Sequence, residues 1–360
     1  MEMPARSEST DGSGSSGRNG SNDTLPAADT WGSWHAAGET HNRCLQFRVK
    51  NGHARVSCLL CATPMGSPRW LVPFVGRRLP RELAKRLTQA SEPEQVQAAL
   101  CASLQAVHDA WLQSLEPTLS RRDELLQATD QGPGEASLAA LEAELSSGCS
   151  LALAVVMDGE QLYVANLGRT RVLLLHGGEE PKLLTVEHSV DNADELARLA
   201  RLGLDTDALT DEVLPVTRCL GAHPRRRRLS GFVHYHAPSC VPDPVSNEPE
   251  LCGPLDVEPG WRLVFLSDGL CSALRISGIA NQEANRLVAK LALQPGSARE
   301  ALSQLLYRCE LPASWPHELT LMVVSLCEEE TPARAPPMSD GRVDPYVDFT
   351  PLINALEAAR

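Results

Sequence analysis

No stretch of this 360-residue chain approaches the roughly 18 unbroken apolar residues that a membrane-spanning helix needs; the longest apolar run is Leu151–Met157. The opening MEMPARSEST has no apolar core, which argues against a secretory signal. Cations are scarce: 33 Lys and Arg stand against 46 Asp and Glu, for a formal net charge of −13. Nucleic acid and anionic membrane surfaces are therefore poor main partners, because phosphate neutralisation requires clustered Lys and Arg. The one basic run, Arg225–Arg228, is short and reads as a solvated loop. The 11 cysteines are odd in number and scattered among apolar residues. Cys58 and Cys61 have CxxC spacing, but no second Cys or His pair lies at a zinc-like distance. Residues three apart on a strand point to opposite faces, so these read as core thiols. A soluble, reduced, cytoplasmic protein is expected.

What is present suffices for a core. Hydrophobic residues make up 42% and charged residues 22%, and the length suits one large domain or two modest ones. Residues 1–30 are rich in Ser, Gly, Asn and Asp, and disorder is expected there. Residues 31–327 form the expected domain. It contains a strand over Val56–Ala62, broken by a loop from Thr63 to Pro68. Leu71, Phe74, Val75, Leu79, Leu83 and Leu87 then fall at helical spacing, with Pro80 expected to bend the helix. A second helix is expected over Glu94–Leu115, and a charged helical stretch over Leu119–Leu145 around a Gly132-Pro133-Gly134 loop.

From Ser150 the period changes to 2 or to continuous apolar runs. Leu151–Met157 and Gln161–Asn166 flank Asp158-Gly159, a hairpin signature. Strands follow over Arg171–His176 and Leu183–Val186. Asn192 and Glu195 fit a capping box, with Leu196, Leu199 and Ala200 as the buried face and Gly203 as the terminating residue. Phe232–His236 reads as a strand and Pro238–Pro254 as irregular. Leu263–Ser267 reads as a fully buried strand, Asn281–Leu306 as helical and Leu319–Leu326 as a last strand. Strands and helices come in runs, which favours an α+β layered fold.

Asp268 closes the Leu263–Ser267 strand. A carboxylate there is costly without a partner, and the usual partner is a metal. The question is whether Asp268 has co-ligands. Several stretches bear on it: Leu162–Gly168 (LYVANLG), Leu184–His188 (LTVEH), Asp194–Gly203, Leu214–Gly221 (LPVTRCLG), Glu248-Pro249-Glu250 and Phe265–Gly269 (FLSDG). In this order they resemble the metal-dependent protein serine/threonine phosphatases of the 2C type, over residues 45–327. The resemblance implies a sandwich of two antiparallel β-sheets flanked by helices. It also implies a site where aspartates hold two Mg²⁺ or Mn²⁺ ions that activate a bridging water and clamp phosphoryl oxygens. Hard cations need several carboxylates. Here the loop after the first strand, Pro64–Pro68, has none, and the look-alike Asn51-Gly52-His53 precedes that strand. Arg169 stands where the family has Asp, Ala222 follows Gly221, and His317-Glu318 replaces the late Asp-Asn pair. Asp268 alone keeps its family identity, with Glu318 as a candidate neighbour. The expectation is a pseudophosphatase with no catalytic residue, no metal set and no cofactor. Asp268 is then vestigial, a turn or helix-cap carboxylate.

The end of the chain carries a second signal. Leu184–Asp205, Ala280–Glu283 and above all Gly341–Phe349, GRVDPYVDF, resemble a non-catalytic, kinase-activating branch of the same family. That resemblance implies a linker over 328–340. It also implies a tail over 341–360 that docks TGF-beta-activated kinase 1 or a related kinase through Tyr346, Val347, Asp348, Phe349, Leu352, Ile353 and Leu356. Thr350 can cap a helix with Pro351 at its first position, which puts Leu352, Ile353 and Leu356 on one face. A helix of about ten residues is marginal alone and would order in a partner's groove. A disordered tail, or one folded back, is the plain alternative. Two further readings stay open: a divergent metal-dependent phosphatase, and a phosphopeptide-binding module. In the latter, Arg169 and Arg171, alternate residues on one strand face, would meet the phosphate.

Overall fold

A computed structural model describes residues 31–34, 42–51, 54–65, 70–127, 135–210, 214–221, 243–258, 260–294, 297–309, 311, 315 and 317–326. The apolar run Leu151–Met157 decides the layering. It lies in β4 (Gly148–Met157), in which every residue is buried. Cys149, Leu151, Leu153, Val155 and Met157 join one apolar cluster, whereas Ala152, Ala154 and Val156 join another. A strand covered on both faces must lie between two layers.

β4 sits inside a six-stranded antiparallel sheet. The order is β2 (Arg43–Asn51), β3 (Ala54–Met65), β4, β5 (Gln161–Leu167) and β9 (Glu250–Asp256), with β8 (Leu220–Gly221) pairing beside β4. A five-stranded sheet runs β1 (Trp31–Trp34), β11 (Leu319–Ser325), β10 (Arg262–Leu266), β6 (Arg171–Leu175) and β7 (Lys182–Leu183). Ala154 and Val164 of the first sheet meet Val172, Leu174, Phe265 and Met322 of the second between the layers. Helices α1 (Leu71–Leu87) and α2 (Pro93–Ser114) cover the first sheet's outer face; fully burying a leucine such as Leu79 or Leu83 contributes about 1.5–3 kcal/mol. Later in the chain, α6 (Asp268–Ile276), α7 (Asn281–Ala292) and α8 (Ala298–Arg308) cover the second sheet. The expected α+β sandwich of two antiparallel sheets flanked by helices is what forms.

Local expectations need correction in five places. β3 does not stop at Ala62; it continues through Thr63, Pro64 and Met65, opposite Ser150, Cys149 and Gly148. Past Ala62 it has a neighbour on one side only among the described residues, where proline is tolerated. β2 has a weak apolar signature, because Leu45 and Phe47 are only half-buried, and it is missed by pattern. The strand expected over Leu183–Val186 shrinks to β7: Leu184 N still donates to Val172 O (2.9 Å), but Val172 N donates to the Thr185 side-chain Oγ1 (3.0 Å) in place of a backbone carbonyl. β9 lies partly in the stretch read as irregular; it is an edge strand, so Pro254 interrupts no inner ladder. The helical region 281–306 is two helices, the second begun by a Ser297–Glu300 capping box.

The charged stretch forms α3 (Glu116–Gln127) and α4 (Glu135–Leu145). The Gly132–Gly134 loop, the Phe232–His236 strand, residues 1–30, the linker and the tail lie outside the described residues. Among the described residues no helix is long and apolar enough to cross a membrane.

Candidate functional site

Register brings the recognisable motifs to one end of the sandwich. Leu266 pairs with Arg171 and with Leu321, so the turn before β6, the start of α6 and the start of β11 are neighbours. In the other sheet Thr63 pairs with Ser150, and Leu151 with Leu167, at the same end of those strands. Backbone demands fix two glycines there. Gly168 has φ +100°, and a Cβ on it would fall 2.1 Å from Ser150 Oγ. A Cβ on Gly269 would fall 2.3 Å from the Glu318 carbonyl oxygen. The glycine of the FLSDG motif is thus required by packing whether or not an ion is bound.

Ser267, and not Asp268, is the N-cap of α6: its Oγ accepts from Leu270 N (3.4 Å) and from Thr320 N (2.9 Å). Asp268 is the first helical residue, so its place as the cap is corrected, while a carboxylate in a first helical turn remains favourable. Its carboxylate meets Arg169, with Nε to Oδ1 at 3.4 Å. Arg169 is buried, with 7% of its side chain exposed, and its Nη1 donates to Pro215 O at 3.1 Å. The residue that replaces an expected carboxylate therefore brings a fixed cation to the one that remains. Burial pushes the Asp268 carboxyl above its ordinary value, and Arg169 beside it offsets only part of that.

Glu318 turns to a different task. Its Oε2 accepts from Asn42 N at 2.7 Å, and Asn42 Nδ2 donates to Thr320 Oγ1 at 2.7 Å, tying the start of β2 to β11. Asn51 closes the β2–β3 hairpin opposite Ala54, at the far end of β3 from Thr63; Gly52, His53 and Ala222 lie outside the described residues. Among the described residues, no three His, Cys, Asp or Glu side chains are grouped so as to hold a metal ion.

Arg171 is committed to partners other than those of Arg169. It is buried, pairs with Glu187, and donates to Asn285 Oδ1 (2.8 Å) and Asn281 Oδ1 (3.0 Å). Glu187 also accepts from Arg275 Nη2 at 2.7 Å. This network joins β6, the LTVEH stretch, α6 and α7. Pattern reading missed Glu187, Arg275, Asn281 and Asn285, although a buried arginine demands such partners.

Beside it, the LTVEH and VTR stretches are stitched together. His188 is 2% exposed, and its Nδ1 accepts from Gly168 N at 3.0 Å, so the neutral ring carries its proton on Nε2. Burial, then the Arg218 charge, lowers its pKa to about 4. Asn192 caps α5 (Ala193–Arg201) by accepting from Asp194 N (2.9 Å), but Glu195 does not complete a capping box. Glu195 is on the buried face, Leu196 is half-buried and Ala200 is exposed. The glutamate is held by Arg198 and Arg218, as the VTR motif delivers the second of these. Gly203 ends the helix at φ +81°, as its position predicts.

The protein phosphatase 2C family model matches residues 92–308, more than half of the chain, and the chain belongs to that family. Among solved structures it is similar to an S. agalactiae serine/threonine phosphatase at 18% identity, over 82% of this chain and 99% of that one, with a TM-score of 0.46. A C. elegans sex-determining protein overlaps at 15% identity over 84% of this chain and 65% of that one, with a TM-score of 0.51. At these identities the likeness is one of fold.

Proposed function

We propose that this chain is a non-catalytic member of the family, a cytoplasmic adaptor that docks and activates a MAP kinase kinase kinase of the TGF-beta-activated type through residues 341–360. The observation that carries the non-catalytic half is Arg169 Nε standing 3.4 Å from Asp268 Oδ1. A guanidinium at that distance supplies the charge compensation a metal would otherwise give, and repels a divalent cation from the same carboxylate. Two-metal chemistry would need further acids there, and Glu318 is engaged with Asn42.

The partner half rests on sequence: GRVDPYVDF and the Leu184–Asp205 stretch resemble TGF-beta-activated kinase 1-binding protein 1. After Phe349 this chain offers Leu352, Ile353 and Leu356 where that relative carries more aromatics. The docking face is therefore aliphatic here, and affinity for the same kinase is expected to differ. Capture of the kinase by the full chain and by a chain ending at residue 340, run beside a Mn²⁺-dependent phosphatase assay, tests both halves. Phe349→Ala should abolish capture at unchanged Tm. Undiminished capture by that variant removes the tail assignment, and metal-dependent turnover removes the non-catalytic one. Family membership is what speaks for a divergent phosphatase. The phosphopeptide reading is weakened because Arg169 and Arg171 are both already engaged.

A further inference from the structure

The CxxC pair does not act as a pair: Cys58 faces the helix-covered core and Cys61 faces the space between the sheets. Cys61 does have a thiol neighbour, but across the ladder. In the β2–β3 hairpin Cys44 stands directly opposite Cys61, and directly opposed residues share one face of the sheet. The Cys61 thiol lies close enough to perturb that of Cys44. Cys44 is half-buried and Cys61 fully buried.

We propose that Cys44 and Cys61 form an oxidant-responsive dithiol, closed to a disulfide by a peroxide. The sulfur of Cys44, the less buried residue of the two, attacks one peroxide oxygen. The O–O bond breaks, leaving a sulfenic acid and one water. The Cys61 sulfur then attacks the Cys44 sulfur, and its proton leaves with the displaced hydroxide as a second water. Two thiols are oxidised by two electrons and one peroxide is reduced.

Geometry favours closure. Opposed Cβ atoms in an antiparallel pair lie about 4.5–5.5 Å apart, and a disulfide needs about 3.5–4.5 Å. The small approach falls on β2, which among the described strands lies at the sheet edge beside β3 alone. The bond would staple that edge to β3 close to Asn42 and Glu318, whose contact ties β2 to the other sheet. At rest the adjoining Cys61 thiol, then burial, holds the Cys44 thiol well above its ordinary pKa, so closure answers sustained oxidant exposure. The other neighbouring thiols, Cys149 and Cys219, are both buried and offer no comparable entry.

The test uses the full chain. Trypsin cuts after Arg43, Arg48 and Arg55, which separates Cys44 from Cys61 but leaves Cys58 and Cys61 on one peptide. After hydrogen peroxide treatment and alkylation, the expected product is peptide 44–48 disulfide-linked to peptide 56–69, with fragmentation placing the bond on Cys61. Cys58→Ser should retain the link, Cys44→Ser should lose it, and the oxidised wild type should melt several degrees above the reduced form. A bond placed on Cys58, or Cys44 fully alkylated after peroxide exposure, would overturn the proposal. The wild-type and Cys58→Ser maps decide the matter even if Cys44→Ser folds poorly.

Discussion

Glu195 and Asp268 both face arginine, yet their carboxyls move in opposite directions. Glu195 is 1% exposed and accepts from Arg198 Nε (3.1 Å) and Nη2 (3.0 Å), and from Arg218 Nε (2.8 Å) and Nη2 (2.6 Å). Burial alone would raise its pKa; the hydrogen bonds from Arg218 and Arg198 outweigh that and bring it to about 2. Asp268 has a single 3.4 Å approach from Arg169 and a 3.4 Å hydroxyl contact from Ser272, and its pKa rises. The number of donors aimed at a buried carboxylate decides whether its charge is favoured there. In this chain the α5 acid is bound tightly by two arginines, while the motif acid is held loosely.

The largest effect should come from breaking the tight side of this contrast. Glu195→Ala leaves Arg198 and Arg218 without their carboxylate, and removing one partner of a buried pair costs about 3–5 kcal/mol. For a domain of this size that corresponds to a Tm lower by about 5–8 °C, read by calorimetry. Asp268→Ala should cost far less. Equal losses would mean that the two sites do not differ as their geometry says.

Acid titration sharpens the contrast next. His188 is neutral in the fold, with a pKa of about 4 against 6.5 for the free side chain. Between these values the unfolded chain binds the proton more readily, so stability falls as pH drops from 6.5 and the loss is complete below about 4. Glu195 acts lower: its contribution is whole above about 4.5 and disappears as pH falls toward about 2. Each amounts to at most about 3 kcal/mol. A plot of Tm against pH should therefore decline in two stages. His188→Asn, which keeps an acceptor for Gly168 N, should remove the upper stage alone. A single decline confined below pH 4.5 in the wild type would show that His188 is not buried as a neutral ring.

How legible this was depended on which side chains packing leaves a choice. β4 and β10 could be read because continuous apolar runs admit only burial on both faces. α1 could be read because its apolar residues repeat at helical spacing and end at Leu87. β2 was hidden because an edge strand with half-buried Leu45 and Phe47 carries little alternation. The candidate site was legible as a set of substitutions: Arg169 for Asp, and His317-Glu318 for Asp-Asn. What each replacement does was not. Nothing in the order of residues says that Arg169 reaches Asp268 while Arg171, two positions on, turns to Glu187 and Asn285. That depends on tertiary register, as does the pairing of Cys61 with Cys44 instead of Cys58.

The smallest expected effect tests the loose side. With Arg169 in place, Mn²⁺ should leave Tm unchanged, and Asp268→Asn should alter stability by less than about 1 kcal/mol, because Asp268 makes only a 3.4 Å approach to Arg169 and a 3.4 Å contact with Ser272. Arg169→Asp reverses the electrostatics: a cation is lost and two carboxylates are placed where one stood. Without metal they repel and the variant melts lower; with a divalent cation they become joint oxygen ligands. Tm of this variant should then climb with the logarithm of Mn²⁺ concentration once it exceeds Kd, as for any ligand that binds only the folded state. The pairing Arg169→Asp with Asp268→Asn should cancel the gain. A Mn²⁺-dependent rise in the wild type that Asp268→Asn abolishes would show that the guanidinium does not stand in for an ion, and the non-catalytic reading would fall with it.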